Sequence, residues 1–184
     1  MADSEAPPAH PGADRPAWRT GVPDVSRRCQ TGHHVAVDVT ADLDTGVSVE
    51  RLFRQVEVLD GYPDWLEIVV RAVPAGPNGA DEGPAWMVDL RGKLGPLARS
   101  KRLRMVRTRH EPPRLVVFER REVDRRDHSP WVLRAEVGEV DGGSRLTMQL
   151  HYGGTLWGPV IERLLRDAIQ DSRARLLRVL QQAS

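Results

Sequence analysis

The chain has a single cysteine, Cys29, in 184 residues. A lone thiol excludes an internal disulfide and a cysteine-built metal site, and it fits a reducing compartment. Charge of one sign is also missing. Basic and acidic residues number 27 and 26, for a net charge of +1, so no global attraction to nucleic acid arises. No apolar run reaches membrane-crossing length. Met1–His10 lacks the basic segment followed by an apolar stretch that a secretory signal needs. These absences predict a cytoplasmic protein that is not an integral membrane protein. Cofactor signatures are missing as well: there is no HExxH, no carboxylate–histidine cluster and no Gly-rich phosphate loop. His33 and His34 are neighbours at a strand start and point to opposite faces, which makes them no metal pair. The expectation is no metal and no cofactor.

What is present is enough apolar material for one domain: 40% of the residues are hydrophobic and 29% charged. Residues 1–32 are rich in Pro, Ala, Asp and Arg without periodicity, and are expected to form a flexible N-terminal tail before a domain over 33–184. From His33 to Leu43, Val35, Val37 and Val39 alternate with polar or small residues as in a half-buried strand. Ser48 then caps a short helix with Val49, Leu52, Phe53 and Val56 on its inner stripe. A tight turn follows over Leu59–Trp65, limited by Gly61 and Pro63.

Strand signals fill the middle of the chain. Leu66, Ile68, Val70 and Ala72 alternate with Glu67, Val69 and Arg71. Pro74–Pro84 reads as a turn containing Asn78-Gly79. Strands are expected over Ala85–Arg91, Lys101–Arg107 and Leu115–Arg121, with Gly92–Ser100 as a loop between the first two. Trp131–Val140 and Ser144–Tyr152 form the last hairpin through Asp141-Gly142-Gly143. Its final strand sets Leu146, Met148, Leu150 and Tyr152 against Arg145, Thr147, Gln149 and His151, which requires one dry face and one wet face. Gly153-Gly154 ends the ladder. A helix from about Leu156 to Leu180 carries the stripe Trp157, Ile161, Leu164, Leu165, Ala168, Ser172, Leu176 and Val179. The order predicts an α+β fold, a curved antiparallel sheet of about seven strands wrapped around a long C-terminal helix.

That order, together with Tyr62-Pro63-Asp64-Trp65 after the first helix, Gly142-Gly143-Ser144-Arg145-Leu146-Thr147 before the last strand, and a Gly-rich break into a long Leu/Arg helix, resembles a known family. It is the polyketide cyclase/dehydrase branch of the START-like (SRPBCC, helix-grip) superfamily, and the resemblance spans roughly Val35 to Leu180. It implies a deep cavity between sheet and final helix and an apolar or aromatic ligand: lipid, quinone-like molecule or polyketide. The alternative it implies is an aromatase/cyclase or dehydratase acting on a polyketide intermediate.

The candidate ligand-binding residues are Trp65, Trp86, Tyr152 and Trp157, whose large rings either stack on a planar guest or pack the core, and Ile161 and Leu164 on the helix stripe. Trp131 is read as capping the end of its strand. The polar candidates for chemistry are Arg91, Tyr62 and Tyr152. Arg91 shares its strand face with Asp89 and Met87, opposite the apolar set Trp86, Val88 and Leu90, so the alternation turns Arg91 outward. Leu94 and Leu97, apolar residues in the Gly92–Ser100 loop, either fold over a ligand as a lid or complete a satellite core. Arg91 to Arg109 carries eight basic residues and no acidic one. The strand part, Arg99–Arg109, is either a solvated face with acidic neighbours or a surface for an anionic partner. Aromatics do not interleave with these charges, which argues against nucleic acid.

Overall fold

A computed structural model describes residues 36–94, 97–124, 126–154 and 158–182, without the side chains of 92–94, 97–99, 158–166 and 169. The expected tail, 1–32, lies outside the described residues. The elements are β1 (Val37–Thr45), α1 (Val49–Val56), a 3-10 turn (Leu59–Asp64), β2 (Val69–Ala75), β3 (Ala85–Leu94), β4 (Leu97–Glu111), β5 (Leu115–Arg120), β6 (Trp131–Val140), β7 (Gly143–Tyr152) and α2 (Gly158–Gln182). The seven strands form one antiparallel sheet in the order β1-β7-β6-β5-β4-β3-β2. β1 and β2 are consecutive strands at opposite edges. α1 and the 3-10 turn must therefore carry the chain across the sheet, and they do so over its apolar face.

Local chemistry sets each piece. Ser48 caps α1 by accepting a hydrogen bond from the Arg51 N–H at 3.3 Å, and Leu52, Phe53 and Val56 are buried on the inner side. α1 packs on β6 and β7, while α2 packs along β1 and reaches α1, the 3-10 turn and β3. Ser172, Leu176 and Leu180 form the buried stripe of α2 at four-residue spacing. The Arg51 guanidinium donates to the Leu180 carbonyl and so ties the two helices together.

The Gly142–Thr147 motif is a structural corner. Gly142 has φ +80°, the left-handed region in which glycine is unstrained. Gly143 lies against the Thr45 backbone, where a Cβ would come within 2.0 Å of the Thr45 carbonyl oxygen. Ser144, fully buried, donates from its hydroxyl to the Val47 carbonyl at 2.8 Å. The edge strand β1 is locked to β7 at this point.

Two expectations about the strands need correction. β2 starts at Val69, and its register against β3 shifts between Val69 and Arg71. The expected alternation holds at Leu66, Ile68 and Ala72, which are buried, and fails at Val69, buried, and Val70, exposed, where the irregularity lies. Nor is Gly92–Ser100 a loop. β3 and β4 continue pairing through Gly92–Arg99 to Leu94–Leu97, so the segment is the end of a long hairpin.

Candidate functional site

An apolar hollow of about 50 Å³ lies on the inner face of the sheet. Its sheet walls come from Val88 and Leu90 on β3, Leu103 and Met105 on β4, Trp131 and Leu133 on β6 and Leu150 on β7. Leu59, Tyr62, Leu66, Ile68 and Val69 close it from the helical crossing and the start of β2. No charged residue is among these walls. A second hollow of about 20 Å³ lies where α2 meets β1 and β7, with Trp65, Ala41, Leu146, Met148, Ser172 and Leu176 on its sides.

The predicted ring residues divide by position. Tyr62 is fully buried, its ring lines the larger hollow, and its hydroxyl donates to the Val56 carbonyl at 3.0 Å. Burial pushes the phenol well above its ordinary pKa. Tyr62 is therefore a neutral, already committed donor. Trp65 packs 4.7 Å from it, ring centre to ring centre. The Trp65 indole N–H is buried without an acceptor among the described residues, a cost that a ligand oxygen would relieve. Trp86 is buried on the inner face of β3, donates its indole N–H to Asp60, and sits edge-on to Phe118 at 5.7 Å. Tyr152 stacks edge-on to Trp131 at 5.1 Å. Gly154 must be small here, because a Cβ would stand 1.9 Å from the Tyr152 hydroxyl oxygen.

Trp131 is more than the strand cap it was expected to be, since its ring is part of the hollow's wall. Arg91 is exposed on the outer face, as its alternation predicts, and does not join Tyr62 or Tyr152. Trp157 lies outside the described residues. Ile161 and Leu164 belong to α2 and Leu94 and Leu97 to the β3–β4 hairpin, but their side chains lie outside the described residues.

The basic stretch is largely satisfied from within. Arg102 pairs with Asp89 at 2.6 Å, Arg109 with Glu111 at 2.6 Å, and Arg107 donates to the Glu57 carbonyl at 3.1 Å. Arg104 has the outward alternation of β4 yet is only 4% exposed. It makes a two-pronged pair with Asp81, at 2.9 and 2.6 Å, and also donates to the carbonyls of Gly76 and Arg121. Lys101 is the inner-face cation of the same strand, masked in the sequence by the basic run around it. Its alternation with the buried Leu103 and Met105 was the available signal. No group of three or more His, Cys, Asp or Glu side chains suited to a metal occurs among the described residues. No described helix is long and apolar enough to cross a membrane.

The fold has many solved likenesses. A START superfamily protein of Mycobacterium smegmatis superposes with a TM-score of 0.61 at 14% identity, over 81% of this chain and 99% of that one. A protein of Rhodobacter sphaeroides gives 0.56 at 16% identity, over 84% and 99%. The di-domain ARO/CYC StfQ of the steffimycin biosynthetic pathway gives 0.55 at 14% identity, over 81% of this chain; the match spans 50% of that longer protein. At these identities the likeness is one of fold. No curated protein matches the sequence. The family model described as "Polyketide cyclase / dehydrase and lipid transport" matches residues 34–183, the whole of the sheet and both helices, and the chain belongs to that family.

Proposed function

We propose that the chain binds a hydrophobic small molecule, lipidic, quinone-like or polyketide, in the space between the sheet and α2. The observation that carries the reading is the wall chemistry. The hollow is faced by aliphatic side chains and by the rings of Tyr62 and Trp131, with no charge among them. Such a space stays dry and accepts apolar guests. Ligand pockets are commonly about 300–1,000 Å³, so a guest of lipid or polyketide size requires the walls around the ≈ 50 Å³ hollow to part. The β3–β4 hairpin that carries Leu94 and Leu97 serves as the lid in this reading. Trp65, Trp86, Tyr152, Trp157, Ile161 and Leu164 complete the binding surface.

The binding reading is preferred to an aromatase/cyclase or dehydratase because the polar candidates do not converge. Tyr62 spends its hydroxyl on Val56, and Arg91 is exposed on the other face. A general acid or base must stand within hydrogen-bond reach of the proton it moves, and neither Tyr62 nor Arg91 offers a free polar group to the hollow. Mass spectrometry of what co-extracts with the purified chain, followed by titration with cis-parinaric acid and with an aromatic polyketide, tests the proposal. Saturable uptake of an apolar compound is expected. No uptake of any probe would overturn it.

A further inference from the structure

We propose that Lys101 is the polar anchor of the site, holding an anionic oxygen group at the end of an otherwise apolar ligand. This rests on the binding reading above and adds the head group that the ligand must carry.

Lys101 belongs to the inner face of β4, in step with the buried Leu103 and Met105. Its partner across the β3–β4 ladder is Leu90, a wall of the larger hollow. Its ammonium nitrogen lies 5.6 Å from the centre of the Trp131 ring and 5.3 Å from that of Tyr152. Trp131 thus has two roles, wall of the hollow and seat of the cation. Both distances are within cation–π range.

The neighbouring cations are paired. Arg102 has Asp89, Arg104 has Asp81, and Arg120 has Glu122. The Lys101 ammonium makes no hydrogen bond or ion pair among the described residues and stands over two ring faces. Burial lowers its pKa from the ordinary lysine value, with Arg120 acting in the same direction and Glu122 against it. A half-buried ammonium with no acceptor among the described residues, set beside an apolar hollow, has room for one anionic group. A carboxylate or enolate supplies it through a charge-assisted hydrogen bond, while the body of the ligand stays on carbon.

Of the 27 basic residues only two are lysine, Lys93 and Lys101. A compact ammonium meets one oxygen group from between two rings, where a planar guanidinium would stack on one of them. The scarcity also makes the test clean. The full chain, reductively methylated with a carbon-13 label, is titrated with cis-parinaric acid and separately with its methyl ester, which share one apolar body.

The acid should bind about tenfold tighter than the ester and should move the Lys101 methyl signal further than the ester does, with the Lys93 signal responding alike to both. Lys101→Met should abolish the preference and keep the ester affinity. Equal affinity for acid and ester in the wild-type chain, or an unmoved Lys101 signal at saturation, would overturn the proposal and leave apolar binding intact. Loss of both ligands in Lys101→Met with an unchanged melting temperature would also overturn it, by making Lys101 a support of the walls. Failure of the wild-type chain to bind either probe would overturn the binding reading itself. The wild-type comparison and the lysine signals stand even if the variant does not fold.

Discussion

Asp81→Asn should be among the most destabilising near-isosteric changes in the chain. Asp81 and Arg104 have side chains only 7% and 5% exposed, and the pair fastens the segment between β2 and β3 over the outer face of β4. Asparagine keeps the shape and one acceptor but removes the charge, so the guanidinium stays buried with neutral partners only, the amide oxygen and the Gly76 and Arg121 carbonyls. Breaking a buried pair from one side costs roughly 3–5 kcal/mol. The surviving acceptors place this case near the lower end, about 3 kcal/mol, a large share of a typical domain's roughly 5–15 kcal/mol. With a urea slope of about 2 kcal/mol per molar, the midpoint should fall by about 1.5 M.

Acid supplies an internal check on that figure. Arg104 hydrogen bonds hold the Asp81 carboxyl below its ordinary value of 3.8. The stability it contributes is therefore complete above that value and is lost as pH falls through the lower folded-state value. Wild-type and variant urea curves should stand apart at neutral pH and converge in strong acid. Replacing both partners, with Arg104→Met and Asp81→Leu, should recover part of the loss. Midpoints that differ by less than about 0.3 M at neutral pH, against the ~1.5 M expected, would refute the reasoning. So would a gap that persists unchanged into acid.

Leu176→Asp puts a carboxylate on the buried stripe of α2, where Leu176 is 2% exposed; it should cost several kcal/mol, and an unchanged urea midpoint would mean the helix phase is wrong. Tyr62→Phe leaves the buried Val56 carbonyl without its donor and should cost about 1–3 kcal/mol with no loss of apolar uptake; a loss of uptake at unchanged stability would give the hydroxyl a direct role. Leu90→Phe enlarges a wall of the hollow and should weaken probe binding several-fold with a small change in melting temperature, both read by fluorescence titration and thermal melts.

The fold was legible wherever alternation was clean. β7 alternates polar and apolar residues without a fault from Arg145 to Tyr152, and α1 shows both its cap and its stripe. The phase at β2 differs from expectation only at Val69 and Val70, because a register irregularity leaves no mark in a run where both residues are equally apolar. The β3–β4 hairpin was cut short because Gly92 and Gly95-Pro96 look like loop chemistry, while the ladder is held by cross-strand partners. At the candidate site, the inward face of Trp86 and the outward face of Arg91 followed from parity alone. Trp131 was undervalued as a residue at a strand end, and Lys101 was hidden in a basic run. The burial of Arg104 depends on Asp81, a partner 23 residues away in a turn. No local pattern announces such a pair.

The central claim is that an apolar guest enters the space between the sheet and α2, the apolar hollow on the sheet's inner face included. Methyl-resolved NMR of the chain, with Ile, Leu, Val and Met labels and saturating cis-parinaric acid, tests it most directly. The account predicts that shifts concentrate on the methyl-bearing walls of the hollow, Ile68, Leu103, Met105 and Leu150 among them, and spare Val70 and Val123, which are 45% and 61% exposed. Shifts confined to such exposed methyls, with the four wall residues unmoved at saturation, would contradict it.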